Sequence, residues 1–181
     1  VSLGNIAVDI NLPKDSTYTG KFPVTVPHSY SGRYYIYVFA DSRNKVFEYV
    51  YEDNNILSAE FPLEVTLRTP ADLQVLTVTA PPAVSEKTMQ ISWKVSNEGG
   101  NPPVETSWRD KIYLSKSDTF NIDSVKLIAE RVYSAGTSFI PGNFYLSFVQ
   151  ATLPDGIQGD YYVYIHTDAN KEVFEYTYDD N

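Results

Sequence analysis

The 181-residue chain carries a formal net charge of −9 and no cysteine. The acidic balance repels nucleic acid backbones and anionic lipid, which removes both as partners. The missing thiols exclude disulfides, thiolate metal sites and cysteine nucleophiles. About 43% of residues are apolar and 14% aromatic, enough for a packed core. Valine, threonine, isoleucine, phenylalanine and fifteen tyrosines dominate that content, which is strand chemistry. No apolar run is long enough for a transmembrane helix.

In chain order, the first patterned stretch is "GRYYIYVFAD" at 32–41. Tyr34, Ile36 and Val38 alternate with Tyr35, Tyr37 and Phe39, which predicts a strand with the first set inward. A turn through 42–45 leads to "VFEYVYEDNN" at 46–55. Val46 and Phe47 are expected to pin this loop to the end of the fold, and Glu48 to accept bonds from loop amides. In residues 59–67, Phe61, Leu63, Val65 and Leu67 alternate with polar residues and Pro62, which predicts an edge strand. A short linker over 68–71 follows. Further strands are expected near 73–79, 88–97, 109–115, 125–133, 143–152 and 159–167. Gly/Pro turn signals at 81–82, 99–103, 141–143 and 154–156 separate them. In 90–96, Ile91, Trp93 and Val95 face the core, with Ser92 and Lys94 opposite. Tyr161, Val163 and Ile165 share a face in the same way. An inward tyrosine two residues before a buried aliphatic fits the tyrosine corner of immunoglobulin-like sandwiches.

The chain repeats itself at an offset of 127 residues. Positions 32–54 align with 159–181 without a gap, and twelve of the 23 pairs are identical. Upstream, "VTVP" at 24–27 meets "ATLP" at 151–154. So long a period fits one whole domain per repeat rather than a solenoid unit. The expected fold is all-β, with tandem immunoglobulin-like sandwiches. Residues 1–69 are expected to be the C-terminal part of a first sandwich, and residues 70–181 a second one without its final strand. On this reading the chain is a window on a longer array.

The phrases "ADLQVL" (71–76), "ISWKVSNEGG" (91–100), "WRDKIYLSKSDTF" (108–120) and "GDYYVYIHTDANKEVFEYTYDDN" (159–181) resemble the CARDB family, the cell-adhesion-related domain of bacteria. The resemblance covers nearly all of 71–181, and the first repeat resembles the family's second half. It implies seven-stranded immunoglobulin-like domains in tandem within exported or surface proteins. It also implies that the acidic Asp-Asn phrase leads into the last strand. The period of 127 is long for the family, which implies a loop insertion.

Catalytic constellations are missing. Only His28 and His166 are present, and Phe39 occupies the position of His166 in the other repeat. No nucleophile triad, phosphate loop or histidine cluster appears. Calcium needs several oxygens on a loop. Asp118, Asn121 and Asp123 are candidate ligands, as are Glu52, Asp53, Asn54 and Asn55, the first three of which are repeated as Asp179, Asp180 and Asn181. The alternative for each is a solvated turn whose Asp and Asn side chains hold backbone amides. Tyr35, Tyr37, Tyr162 and Tyr164 form a candidate binding face for a sugar or protein. The alternative is that they are covered by neighbouring side chains or loops.

These observations lead to a non-catalytic, adhesive or spacer segment of an extracellular or cell-surface protein. Its expected partners are neighbouring domains of the same long chain and a protein or glycan surface. No cofactor is expected, calcium being the one candidate. Two rivals stand beside it. One is a carbohydrate-binding accessory module of a secreted enzyme; the other is a filament or secretion subunit completed by strand addition.

Overall fold

The computed structural model describes residues 1–51, 53–135 and 139–176. Among these residues there are ten β-strands and no helix. The strands are β1 (Gly32–Tyr34), β2 (Tyr37–Phe39), β3 (Ile56–Ser58), β4 (Leu63–Val65), β5 (Leu73–Thr79), β6 (Thr88–Asn97), β7 (Ser107–Ser115), β8 (Lys126–Ser134), β9 (Phe144–Thr152) and β10 (Tyr162–His166). The fold is all-β. The chain divides into two compact units, Val1–Arg68 and Thr69–Asn181.

The second unit has two three-stranded antiparallel sheets, ordered β5-β6-β9 and β10-β7-β8. They share one core. Ile91, Trp93 and Val95 on β6 are almost fully buried, as their alternation predicted. Leu73, Tyr145 and Ala151 join them from the same sheet. From the other sheet come Trp108, Ile112 and Leu114, with Tyr161, Val163 and Ile165 packed against the cluster. Each large apolar side chain so enclosed contributes about 1.5–3 kcal/mol of transfer free energy. β10 is shorter than the strand expected over 159–167, since Gly159 has φ +91° and pairing begins only at Tyr162.

Asn97 closes one end of this unit. It is fully buried, and its Oδ1 accepts from the backbone N–H groups of Asp72 (3.1 Å) and Gly99 (3.0 Å). Its Nδ2 donates to the carbonyls of Asn101 and Phe139, both at 3.0 Å. One side chain therefore joins the start of β5 to two loops. Gly99 must be glycine for a steric reason, because a Cβ there would lie 2.5 Å from the Pro70 carbonyl oxygen.

The first unit is built from two two-stranded antiparallel pairs, β1-β4 and β2-β3. None of its described residues is buried. Two expectations are corrected here. Of the single strand expected over 59–67 only β4 (Leu63–Val65) forms; β3 (Ile56–Ser58) precedes that span, Ala59–Pro62 separate the two, and Phe61 is 72% exposed. Proline cannot donate to a ladder, and Ala59 N–H already bonds the Ile36 carbonyl at 2.7 Å, so pairing resumes only after Pro62. The inward set is also incomplete. Tyr34 and Ile36 are half-buried, whereas Val38 is 66% exposed.

Candidate functional site

The repeated phrase builds the same loop twice. In the first unit, Asp41 Oδ1 accepts from Lys45 N–H at 2.9 Å and Oδ2 from Val46 N–H at 2.7 Å. In the second, Asp168 Oδ1 accepts from Glu172 N–H and Oδ2 from Val173 N–H, both at 2.8 Å. The Asn44 N–H to Asp41 carbonyl bond and the Lys171 N–H to Asp168 carbonyl bond are both 2.8 Å. Positive φ recurs at matching places: Asp41 and Asp168, Asn44 and Lys171, Tyr49 and Tyr176. Local sequence thus fixes local geometry. The two backbone amides hold the Asp41 carboxyl below its usual pKa. Glu48 was expected to accept from loop amides; the amides of Lys45 and Val46 bond Asp41, and Glu48 accepts from the Asn55 side-chain amide. An aspartate at the turn reaches amides four and five residues on, while Glu48 lies beyond them.

Burial, by contrast, differs between the copies. Val173 is 5% exposed, but its counterpart Val46 is 59% exposed. Phe47 is 85% exposed, so Val46 and Phe47 do not pin the first loop. Glu175 is buried and accepts from Leu73 N–H at 2.5 Å, tying the loop to the first turn of β5. Its counterpart Glu48 is half-buried and accepts from the Asn55 side-chain amide at 2.5 Å. Two buried elements, the loop and the start of β5, are joined in the second unit by a carboxylate that the repeat supplies.

A buried polar centre lies between the two sheets, and the sequence reading did not single it out. Asp110, on β7, is fully buried. Its Oδ2 accepts from Trp93 Nε1 and from the Tyr145 hydroxyl, both at 2.7 Å. Its Oδ1 accepts from the Thr167 hydroxyl at 2.7 Å. Trp108 Nε1 donates to the Tyr145 hydroxyl at 3.1 Å. β6, β7, β9 and the end of β10 all meet there. Burial pushes the Asp110 carboxyl above its ordinary value, against the opposing pull of the hydroxyl and indole donors. Burial and the Asp110 charge push the Tyr145 hydroxyl far up, so it remains a donor. The signal was present in the sequence. Trp108, Asp110, Ile112 and Leu114 share one parity, which places Asp110 on the core face. With no solvent access, this centre holds sheets together and offers nothing to a substrate.

The calcium candidates lie on separate loops. Asn121 Oδ1 accepts from Asp123 N–H at 3.0 Å, and Asp118 Oδ1 meets the Thr119 hydroxyl at 3.4 Å. Asp53, Asn54 and Asn55 lie in the first unit, where Asn55 is engaged with Glu48. Glu52, Asp179, Asp180 and Asn181 lie outside the described residues. Among the described residues, no group of three or more His, Asp or Glu is placed to hold a metal ion. Asn121 thus holds a turn amide, the ordinary duty of such a side chain in a polar loop. Melting in excess calcium and in chelator is therefore expected to give the same midpoint. A rise of several degrees with calcium would refute that.

The tyrosine rows also diverge. Tyr35 and Tyr37 are 58% and 57% exposed. Tyr162 is 48% exposed, but Tyr164 is half-buried. Phe120 packs against Tyr164 (5.4 Å between centroids), His166 (5.9 Å) and Tyr113 (5.7 Å), and the Tyr164 hydroxyl donates to the Ser117 carbonyl. The loop after β7 thus folds over the outer face in the second unit. A different exposed row runs along β9: Phe144, Leu146 and Phe148, with Lys94 Nζ 3.9 Å from the Phe144 ring. Its strict alternation in "FYLSF" could have revealed it, but an apolar residue on an outer face looks the same in sequence as one on an inner face.

No family model, no curated protein and no solved structure matches the chain. The resemblance to CARDB accordingly rests on the quoted phrases alone.

Proposed function

We propose that this chain is a non-catalytic, immunoglobulin-like repeat segment of a large exported or cell-surface protein, acting as a spacer with adhesive contacts. The observation that carries the reading is the doubled loop. What the chain has copied, down to the aspartate–amide bonds and the left-handed residues, is a device for holding backbone in place. A duplicated scaffold without a duplicated reactive group suits an array whose job is to extend and display. The titratable centre at Asp110 is sealed in the core, consistent with a structural duty. The exposed Tyr35 and Tyr37 row supplies contact chemistry for a protein or glycan surface.

The test is location. An antibody raised against the folded chain is expected to label intact cells of the native host without permeabilisation, and brief external protease is expected to remove the signal. Labelling only after lysis would overturn the reading.

A further inference from the structure

One turn of the second unit carries a reactive dipeptide. Of the chain's aspartates, Asp155 alone is followed by glycine, and no asparagine is. Asp155 and Gly156 are exposed in the turn between β9 and β10, where Gly156 has φ +68°. A Cβ on Gly156 would meet no atom within 4 Å, so the space beside it is open. The flanks, by contrast, are held. Leu153 is buried and its N–H bonds the Lys87 carbonyl at 3.1 Å. The Pro154 carbonyl accepts from the Ser85 hydroxyl at 2.9 Å, and Ile157 packs against the core.

The repeat offset sets Pro27-His28-Ser29-Tyr30 against Pro154-Asp155-Gly156-Ile157. In the first unit, Tyr30 N–H closes this turn on the Pro27 carbonyl at 3.1 Å. In the second, Gly156 N–H, Ile157 N–H and the Asp155 carboxylate have no hydrogen bond among the described residues. The turn is open, and a carboxylate lies next to an amide that nothing holds away from it. Glycine's missing Cβ leaves that nitrogen unshielded and its backbone free to rotate.

We propose that Asp155 is a covalent modification site at which isoaspartate forms spontaneously. The Gly156 nitrogen attacks Asp155 Cγ. A C–N bond forms, and a carboxyl oxygen leaves as water with the amide proton and one proton from solvent. Water then opens the cyclic imide. Attack at Cγ restores aspartate. Attack at the Asp155 main-chain carbonyl breaks its bond to Gly156, so the chain runs through Cβ and Cγ and the α-carboxylate becomes the side group. One water leaves and one returns, so the mass is unchanged and no cofactor is consumed. The product lengthens the backbone by one methylene between Pro154 and Ile157, both of which are anchored. The inference rests on the geometry of this turn and is independent of the spacer reading.

Prolonged incubation of the whole folded chain at neutral pH and physiological temperature tests it. Isoaspartyl methyltransferase with a labelled methyl donor reads the product, and peptide mapping locates it. Label is expected to accumulate with first-order kinetics. The peptide spanning Asp155 is expected to gain a second peak of equal mass that an aspartate-specific protease no longer cuts at that residue. Asp155→Glu must close a larger ring, and is expected to carry at least tenfold less label; the site is exposed, so the fold survives the change. Asp155→Asn is expected to convert severalfold faster, because an uncharged amide is the better electrophile. A synthetic peptide of residues 152–159 gives the rate without the fold. The native chain is expected to convert within about tenfold of that rate, the factor that about 1.4 kcal/mol of turn distortion would impose. Equal label in the native chain and Asp155→Glu would overturn the proposal. So would half-conversion of the peptide with none in the chain, because the turn would then hold the Gly156 nitrogen away from Cγ.

Discussion

Replacing Asp110 with alanine is expected to destabilise the second unit by about 3–5 kcal/mol. The substitution strands three buried side-chain donors, Trp93 Nε1 and the hydroxyls of Tyr145 and Thr167, together with the Asp168 backbone N–H. Each unsatisfied buried polar group costs about 1–3 kcal/mol. The sum falls short of four full penalties because Tyr145 and Thr167 lie 3.2 Å apart and can partly serve each other. Urea titration followed by tryptophan fluorescence measures the loss. Against the 5–15 kcal/mol typical of a domain, it would leave the unit marginal. A loss below about 1 kcal/mol would mean that the network does not hold the two sheets together.

Asp110→Asn separates the charge from the shape. Burial raises the folded-state pKa of Asp110 above its ordinary carboxylate value. The folded chain therefore binds this proton more tightly than the unfolded chain does. The stabilisation from proton binding is fully present below the unfolded pKa of about 3.9, and is lost as pH rises through the folded value. Stability of the native chain minus that of Asp110→Asn should consequently fall as pH climbs from about 3 toward neutrality. The other carboxylates cancel in that difference. A difference that rises with pH would show that the donors outweigh desolvation.

The second large effect is a contrast between equivalent residues. Glu175→Ala removes the acceptor of the buried Leu73 N–H and is expected to cost about 1–3 kcal/mol. Glu48→Ala, at the same place in the first repeat, frees a half-exposed Asn55 amide that water can reach. Its cost is expected to be about 0.5 kcal/mol or less, within the usual range for surface substitutions. Tryptophan melting, which reads the second unit, should therefore drop several degrees for Glu175→Ala, whereas amide exchange along β2 and β3 in the first unit should change by no more than about twofold for Glu48→Ala. A tenfold faster exchange there would mean that the repeated glutamate acts locally rather than through β5.

What the sequence alone determined was period and punctuation. The strands expected near 73–79 and 88–97 are β5 and β6 as found, and those near 109–115, 125–133 and 143–152 differ from β7, β8 and β9 by one or two residues. A period-two pattern between Gly/Pro turns is a local property, because alternate side chains of a strand must point to opposite faces. The repeat offset likewise announced two copies of one loop, and Asp41 and Asp168 hold it by bonds four and five residues away. Only the tertiary structure decided which copies of a residue are buried. Val46 and Val173 share a loop and a sequence, yet one is exposed and the other enclosed. Burial depends on what the rest of the chain lays against a face, and alternation names the faces without saying which is covered. For the same reason Asp110 could be placed on an inner face by parity, while its three side-chain donors, arriving from β6, β9 and the end of β10, could not. They lie 17, 35 and 57 residues away along the chain, and only the packing of two sheets brings them to one carboxylate.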